Sequence, residues 1–276
     1  MTDPRIALAE RVASADGVSP LNEASRIAIA AGEVARVDEV VRDGDDVVGA
    51  AYAAGDSPVE LYVDPARRRN GTGRALLEEL LRRGERQFWA HGDLPAARSL
   101  ARTAGLEPVR TLLVLERDAT TPLPAERDVE GVTIRTWQDA DAAGLVAVNA
   151  RAFASHPEQG AMDDADLRAR MGQSWFDPQG LFVAERAGEV VGFHWTKIDP
   201  PTADGGEVGE VYVVGVDPSE QGRGLGKALT LRGLHHLTSS GVRRIDLYVE
   251  GDNTPALATY RGLGFSEAAR DVLYAV

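Results

Sequence analysis

Two segments of the chain have similar sequences, and this repeat constrains the fold more than any other feature. Each segment runs from an apolar strand through Asp-Pro, a short polar stretch, Gly-x-Gly and a basic residue to Ala-Leu. Asp64 and Asp217 set the offset between the segments at 153 residues. A second pair of phrases, Ala104-Gly-Leu and Leu263-Gly-Phe, follows in the same order at nearly the same offset. Two landmarks in the same order at nearly the same offset predict a duplicated domain.

The length of the chain agrees with a duplication. Its 276 residues suffice for two domains of about 140 residues each. The stretch between Arg117 and Glu130 is rich in proline and small polar residues, which is the composition of a linker. We therefore predict a first domain at 1–117, a linker at 118–130 and a second domain at 131–276.

Composition excludes several classes of function. With 30 Lys and Arg against 43 Asp and Glu, the net charge of −13 argues against a general nucleic-acid binder. The absence of cysteine excludes disulfides, thiolate metal sites and a cysteine nucleophile. The histidines lack metal-ligand spacing with nearby carboxylates, so no metal is expected. No segment has the roughly 20 apolar residues of a membrane span, and the N-terminus has no apolar signal core. We expect a cytoplasmic protein without membrane or nucleic-acid partners.

The second half is predicted to alternate between strands and helices. Strands are expected at 132–136, 181–185, 190–195, 208–216, 245–249 and 272–276, and helices at 139–154, 163–171, 225–238 and 255–263. The strands at 181–185 and 190–195 flank Ala187-Gly188, a turn signal, and should form a hairpin. This pattern predicts an α/β fold with a mixed sheet.

A glycine-rich turn, Gln221-Gly-Arg-Gly-Leu-Gly-Lys, separates the long strand from the following helix. Backbone N–H groups in such a turn converge at the positive end of a helix, where they can hold a phosphate. By itself the signal is weak, because many tight turns need glycine for positive φ and bind nothing. Its spacing differs from the dinucleotide Gly-x-Gly-x-x-Gly motif, and no P-loop sequence is present.

The surroundings of this turn resemble the GNAT acetyltransferase family over nearly all of the second half. In chain order, they consist of a strand, an Asp-Pro pair, the phrase Gln-x-x-Gly-x-Gly, an amphipathic helix, a second strand, the phrase Asn-x-x-Ala, a helix that contains a tyrosine, and the phrase Leu-Gly-Phe. The resemblance implies two tandem GNAT domains, with acetyl-CoA as the acetyl donor. Its pyrophosphate would lie in the glycine-rich turn, and its pantetheine arm would pair with the backbone of a splayed strand. In the second half the implied acetyl-CoA-binding residues are Val214, Gly215, Val216, Gln221, Gly222, Arg223, Gly224, Leu225, Gly226, Lys227, Tyr248, Asn253, Thr254, Pro255, Ala256, Leu257 and Ala258.

The first half has a similar turn in the corresponding place. The resemblance therefore implies a second, non-reacting acetyl-CoA there. The residues that would bind it are Leu61, Tyr62, Val63, Arg68, Arg69, Asn70, Gly71, Thr72 and Gly73. Asn70 is the departure we notice within this turn, and it leaves the glycines intact.

Several separated phrases narrow the resemblance to the mycothiol synthase family of tandem GNAT enzymes. They begin at Asp16, His156, Trp175, Gly192 and Gly209 and span both halves of the chain. The resemblance implies a small-molecule acceptor, cysteinyl-glucosaminyl-inositol, whose cysteinyl amine is acetylated in the last step of mycothiol synthesis. It also implies four residues in contact with this acceptor: Glu23, Glu158, Lys197 and Glu210.

Acetyl transfer to an amine requires a base for the ammonium proton and an acid for the leaving thiolate. Glu210 is the candidate base, because it is the single charged residue on the strand at 208–216. Tyr260 is the candidate acid, because a tyrosine at this point of a GNAT enzyme lies beside the CoA sulfur. In the first half the corresponding residues are Ser57 and Leu100. The first domain is therefore predicted to be non-catalytic.

Two alternatives stay open at this point. The chain can be a GNAT enzyme for another amine, such as an aminoglycoside, a polyamine or a protein N-terminus. It can also be an acetyl-CoA-binding module without turnover, although such a module needs neither Glu210 nor Tyr260. A monomer is expected, because the repeat already supplies the pairing that single-domain GNAT proteins obtain by dimerisation.

Overall fold

The computed structural model describes residues 3–154, 157–199 and 206–276, without the side chains of residues 157 and 158. The chain forms two compact units. Unit 1 contains the chain up to Leu113 together with Glu250–Asp252 and Ala269–Val276. Unit 2 contains Val114–Val249 and Asn253–Ala268. The predicted domain boundaries at 117 and 131 stay a prediction.

Helices and strands alternate along the described chain. The helices are α1 Pro4–Asp16, α2 Glu23–Ala31, α3 Thr72–Arg82, α4 Pro95–Thr103, α5 Ala142–Ala152, α6 Pro157–Gly160, α7 Asp164–Met171, α8 Leu225–Ser239 and α9 Thr254–Gly262. The strands are β1 Val37–Asp43, β2 Asp46–Ala53, β3 Val59–Val63, β4 Gln87–Ala90, β5 Glu107–Asp118, β6 Thr133–Thr136, β7 Leu181–Arg186, β8 Glu189–Asp199, β9 Val208–Val216, β10 Arg244–Glu250 and β11 Ser266–Ala275. The strands and helices predicted for the second half are confirmed, with ends within four residues of the prediction, except that β11 begins six residues earlier than predicted.

In unit 1 the strand order is β1-β2-β3-β4-β11. The pairings β1–β2, β2–β3 and β4–β11 are antiparallel, whereas β3 and β4 are parallel. The last strand of the chain thus completes the sheet of unit 1, where Val272 pairs with Ala90 and Ala275 with Gln87. Val272 also lies in the hydrophobic core of this unit together with Phe88.

In unit 2 the strand order is β10-β9-β8-β7-β6, with β9 and β10 parallel and the other pairs antiparallel. The predicted hairpin β7–β8 is confirmed, and both turn residues, Ala187 and Gly188, have the positive φ that tight hairpin turns require. Helix α8 packs on β8 and β9. It does so through buried leucines at helical spacing, including Leu225, Leu229 and Leu237.

The Asp-Pro phrase of each repeat has the same structural role. Asp64 accepts a hydrogen bond from the amide of Ala66, and Asp217 accepts one from the amide of Ser219, so each carboxylate caps a short 3-10 turn. Each carboxylate also forms an ion pair with an arginine of a preceding helix. Arg11 Nε lies 2.9 Å from the carboxylate of Asp64, and Arg151 Nε lies 2.6 Å from that of Asp217. The sequence repeat is therefore also a repeat of local structure.

Candidate active site

Strands β9 and β10 separate partway along their length. They pair from Val208 with Arg244 to Val211 with Leu247. Strand β9 then continues to Val216 while remaining paired with β8 on its other side. Among the described residues, the pairing with β10 does not extend to 213–216 of β9. The backbone groups on that edge of β9 are therefore not used by the sheet, which fits the splayed strand that pairs with a pantetheine arm.

The glycine-rich turn leads directly from β9 into α8. Gly222 has φ 77° and Gly224 has φ 82°, a region that residues with a Cβ rarely adopt. Gly224 is the N-cap of α8, and it has no side chain to cap the helix. The first N–H groups of a helix have no partner within the helix, so an uncapped N-terminus favours an anion. This turn therefore fits the phosphates of acetyl-CoA.

The predicted residues of this turn differ in what their side chains do. Gln221 and Arg223 are exposed, and Lys227 is half-buried. Arg223 contacts Glu220 at 3.3 Å, and Arg186 holds the other oxygen of that buried carboxylate at 3.0 Å. Leu225 is fully buried in the core, so any contact it makes with a cofactor would have to come from its backbone.

The predicted segment 253–258 forms the first turns of α9. The side chain of Asn253 accepts a hydrogen bond from the amide of Ala256 at 3.2 Å and thereby caps the helix. Leu257 is buried in the core, whereas Thr254, Pro255 and Ala258 are exposed. Tyr248, the first residue of β10 after the strands separate, is half exposed. Asn253 thus has a structural role in this helix as well as a predicted role at the cofactor.

Glu210 and Lys197 are neighbours across the antiparallel pair β8–β9. Lys197 Nζ lies 3.7 Å from a carboxylate oxygen of Glu210 and 3.2 Å from one of Asp199. Both side chains are largely buried, with 9% of the Lys197 side chain and 14% of the Glu210 side chain exposed. A buried ammonium needs such partners because burial disfavours the charged form. The structure therefore brings together the predicted base and one predicted acceptor contact.

Aromatic rings complete the environment of this ammonium. Lys197 Nζ lies 5.3 Å from the ring centroid of Trp175 and 5.8 Å from that of Tyr212, within the range of cation–π attraction. Tyr212 also contacts Arg170, whose Nη1 donates to the phenol oxygen at 3.3 Å. Trp175 and Tyr212 meet edge to face. Both rings lie within phrases that resemble the family, those that begin at Trp175 and Gly209, but neither ring was predicted to contact Lys197.

A β-bulge in β9 changes the comparison between the two units. Val213 pairs with Trp195 and Val211 with Thr196, so Tyr212 is an extra residue in β9. The pairing of β2 with β3 has no such irregularity. Counted back from Asp-Pro, the counterpart of Glu210 in unit 1 is therefore Pro58 and not Ser57. Neither residue can accept a proton at neutral pH, so the predicted lack of a base in unit 1 is unaffected.

Tyr260 lies on α9, next to Phe265, at 5.8 Å between ring centroids. Burial raises the pKa of the Tyr260 hydroxyl to about 12. The phenol therefore keeps its proton at neutral pH, as an acid must. Leu100 occupies the corresponding position on α4 and carries no titratable group.

The other two predicted acceptor contacts are placed differently. Glu23 is the first residue of α2 in unit 1 and is half-buried. Glu158 belongs to α6, and its side chain lies outside the described residues.

The predicted cofactor turn of unit 1 resembles that of unit 2, but its arginines are differently engaged. Gly71 is the uncapped N-cap of α3, as Gly224 is of α8. Arg69 stands where unit 2 has Gly222 and adopts a left-handed φ of 66°, which costs about 1–2 kcal/mol. Both terminal nitrogens of Arg68 bind the carboxylate of Asp16 at 2.7 Å.

The remaining predicted residues of unit 1 lie close to this turn. Leu61 and the buried Tyr62 and Val63 belong to β3, and the Tyr62 hydroxyl donates to the carbonyl of Arg5. Asn70 is exposed, and Thr72 and Gly73 are half-buried at the start of α3.

Sequence reasoning missed Asp199, Asp246 and Tyr212 around the candidate base. Asp199 is two residues beyond Lys197 on β8, and residues two apart on a strand point to the same face, so this spacing could have indicated it. Asp246 stands opposite Glu210 in the parallel pair β9–β10. Burial raises the pKa of the Asp246 carboxyl, against the lowering effect of Arg244. No sequence signal marked Asp246.

Two other features are absent from the part of the chain that the structure describes. Within residues 3–154, 157–199 and 206–276, no helix combines the length and apolar character needed to cross a membrane. In the same ranges, no group of three or more His, Asp or Glu residues is arranged to hold a metal ion.

Comparison with known proteins defines the class of this fold. Residues 146–265 match the Acetyltransferase (GNAT) family. A GCN5-related N-acetyltransferase from Sphaerobacter thermophilus superposes with a TM-score of 0.72 at 24% identity, covering 99% of this chain and 93% of that one. A tandem GNAT protein from the clavulanic acid biosynthesis pathway gives 0.62 at 21% identity, covering 87% and 82%. The predicted mixed α/β fold of two tandem GNAT domains is confirmed.

Proteins of similar sequence identify the particular family within this class. A mycothiol acetyltransferase from Thermobispora bispora is 48% identical over 98% of this chain and 94% of its own length. A mycothiol acetyltransferase from Saccharomonospora viridis is 54% identical over 83% of this chain and 77% of its own. The chain therefore belongs to the mycothiol acetyltransferase family.

Proposed function

We propose that the protein transfers the acetyl group of acetyl-CoA to the cysteinyl amine of cysteinyl-glucosaminyl-inositol, which yields mycothiol. Membership of the family supports this acceptor. The observation that carries the proposal is the position of Glu210, a largely buried carboxylate on β9, immediately before the point where β9 and β10 separate. A carboxylate at this point stands next to the strand edge that a thioester donor would use.

Two features of unit 2 support the binding of acetyl-CoA as donor. The uncapped N-terminus of α8 with its glycine turn suits the pyrophosphate. The backbone of Val214, Gly215 and Val216 lies on the unpaired edge of β9 and suits the pantetheine arm. Acetyl-CoA supplies the acetyl group as a thioester.

The chain's own residues would then move two protons. Glu210 accepts a proton from the ammonium of the acceptor, so that the neutral nitrogen attacks the carbonyl carbon. A bond from nitrogen to carbon forms as the bond from carbon to sulfur breaks, and the nitrogen releases its second proton to solvent to give the amide. Tyr260, whose pKa of about 12 lies far above neutral pH so that the phenol is protonated, gives its proton to the leaving sulfur and regains one from solvent. Lys197, Glu23 and Glu158 would contact the acceptor.

The test replaces the proposed base and keeps its shape. Glu210→Gln should lower kcat about 10²–10⁴-fold, because the amine no longer has a proton acceptor, while acetyl-CoA still binds. The matched control is Glu207→Gln, since Glu207 is an exposed carboxylate three residues earlier. Product should be measured by mass with cysteinyl-glucosaminyl-inositol, glucosaminyl-inositol and a panel of small amines.

The outcomes separate the competing functions. Selective acetylation of the cysteinyl compound supports the proposal, and near-normal turnover by Glu210→Gln removes Glu210 from the mechanism. Turnover with a different amine alone would keep the acetyltransferase activity and reject this acceptor. Acetyl-CoA binding without any turnover would favour a binding module.

We also propose that unit 1 holds a second acetyl-CoA that does not react. The uncapped N-cap Gly71 of α3 supports binding, and Pro58 and Leu100 at the two proton-transfer positions argue against turnover. Calorimetry should find two acetyl-CoA molecules per chain, and replacement of Gly71 and Gly73 by valine should reduce this to one without loss of catalysis. A folded variant that binds one molecule but loses activity would show that the first site contributes to the reaction.

A further inference from the structure

Unit 1 contains a buried cluster of charged side chains that the proposed mechanism does not use. His91, at the end of β4, stands between two carboxylates. Its Nε2 lies 2.7 Å from Glu60 Oε1, and its Nδ1 lies 2.8 Å from Asp271 Oδ2. The exposed fractions of the three side chains are 11% for His91, 1% for Glu60 and 9% for Asp271. The cluster thus joins β3, the end of β4 and the last strand of the chain.

The charge of this cluster follows from its geometry. Burial disfavours the imidazolium form of His91, but the hydrogen bonds to Asp271 and Glu60 outweigh that effect and raise the pKa of His91 to about 9. His91 is therefore positively charged at neutral pH and donates from both ring nitrogens. An imidazole with both nitrogens engaged has no lone pair for a metal. The histidine is instead a fixed bridge that holds two carboxylates.

The held carboxylate of Glu60 has one further contact. Its Oε1 atom accepts a hydrogen bond from the backbone amide of Asn22 at 2.8 Å. Asn22 in turn caps α2, because its side chain accepts from the amide of Ser25 at 2.8 Å. The next residue is Glu23, the first residue of α2. Glu60 therefore holds the backbone from which Glu23 projects.

A second contact holds the loop that precedes α2 and ends at Asn22. A Cβ built on Gly92 would come within 2.9 Å of the side chain of Val18, so the turn after β4 packs tightly against the segment that precedes α2. The amide of Gly92 also donates to Asp271 at 2.8 Å. The loop before α2 is thus tied to the cluster both through Glu60 and through the turn at Gly92.

We propose that Glu60 is a positioning residue for the acceptor, because its hydrogen bond to Asn22 sets the position of Glu23, with His91 and Asp271 holding Glu60 in place. This inference rests on the proposed function, in which Glu23 contacts the cysteinyl acceptor. It assigns to unit 1 a part in acceptor binding that does not depend on the second acetyl-CoA.

The first experiment separates positioning from stability. Glu60→Ala removes the acceptor atom for the Asn22 amide and should raise the KM for the cysteinyl acceptor about tenfold, which corresponds to about 1.4 kcal/mol. The KM for acetyl-CoA and kcat should stay within about twofold of the unchanged protein. Glu60→Gln keeps an oxygen for the amide and should restore most of the acceptor affinity. Glu78→Ala, at an exposed carboxylate on α3, is the matched control.

A purely structural role gives a different result. Loss of folded protein lowers the apparent kcat and leaves the acceptor KM of the surviving molecules unchanged, and this pattern would overturn the inference. If Glu60→Ala does not fold, Glu60→Asp applies the same test, because its shorter side chain withdraws the oxygen from the Asn22 amide. An unaltered acceptor KM in Glu60→Asp would equally overturn it.

A double-mutant cycle tests the link to Glu23. If Glu60 acts through Glu23, the KM effect of Glu60→Ala should disappear in a Glu23→Gln background. If the two changes instead raise the KM for the acceptor by factors that multiply in the double variant, the inference is overturned while the proposed function stays intact. Absence of acetylation by the unchanged protein would overturn the proposed function itself, so the two failures are distinguishable.

Discussion

The stability of unit 1 should fall as the pH rises above neutral, because of His91. The pKa of His91 is raised from 6.5 to about 9 by its two carboxylate partners, which more than offset its burial. A group that binds its proton more tightly when folded stabilises the fold at a pH below the unfolded value. The contribution of His91 is therefore fully present below a pH of about 6.5 and is lost as the pH rises through about 9.

The size of the effect follows from the same two values. A folded pKa of about 9 against 6.5 corresponds to about 3 kcal/mol between the two ends of this pH range. This is a large part of the 5–15 kcal/mol typical of a domain. The neutral variant His91→Gln should remove the pH dependence and show a low stability already at neutral pH, since two buried carboxylates then lose their shared cation.

The assay is urea unfolding at a series of pH values, followed with a signal from unit 1. Trp89 supplies that signal, because its ring stacks on His91 with 6.1 Å between centroids and 16° between planes. Subtracting the fluorescence of Trp89→Phe isolates it from the tryptophans of unit 2. A proton NMR titration of His91 gives its pKa directly. A midpoint near 6.5, or the same pH dependence in His91→Gln, would refute the reasoning.

Two further changes test how each unit is packed. Gly233→Ala should destabilise unit 2 by about 1–3 kcal/mol, because a Cβ there would overlap the ring of His194. Gly262→Ala, where a Cβ would meet nothing within 4 Å, should be neutral or stabilising in thermal unfolding. Equal melting temperatures for the two variants would contradict the packing at His194. Deleting residues 272–276 should abolish the Trp89 unfolding transition of unit 1, because β4 loses its antiparallel partner β11 and keeps only β3. A normal Trp89 transition in that deletion would show that unit 1 does not need this strand.

Local sequence predicted much of unit 2 because the relevant signals act over a few residues. The hairpin β7–β8 followed from Ala187-Gly188, and α8 followed from leucines at helical spacing. The contact between Lys197 and Glu210 did not follow from local pattern, because it depends on the register of β8 and β9. The resemblance alone implied that both residues belong to one site.

The bulge at Tyr212 shows why a constant offset between the two repeats does not identify every pair of corresponding residues. An offset of 153 residues assigns Ser57 as the counterpart of Glu210, but one extra residue in β9 changes the assignment to Pro58. A bulge leaves no clear trace in a short apolar strand, because Val, Tyr and Val suit regular and bulged strands alike.

By itself, the sequence determined that the chain contains a repeat, that each repeat joins a strand to a helix through a glycine turn, and which charged residue lies on β9. These are properties of neighbouring residues, and backbone sterics and hydrophobic period are enough to establish them. The tertiary structure alone decided that β11 completes the sheet of unit 1 and that Glu60, His91 and Asp271 meet. Strand pairing and buried ion clusters join residues about 180 positions apart, and no local pattern encodes which distant partner lowers the free energy of the fold.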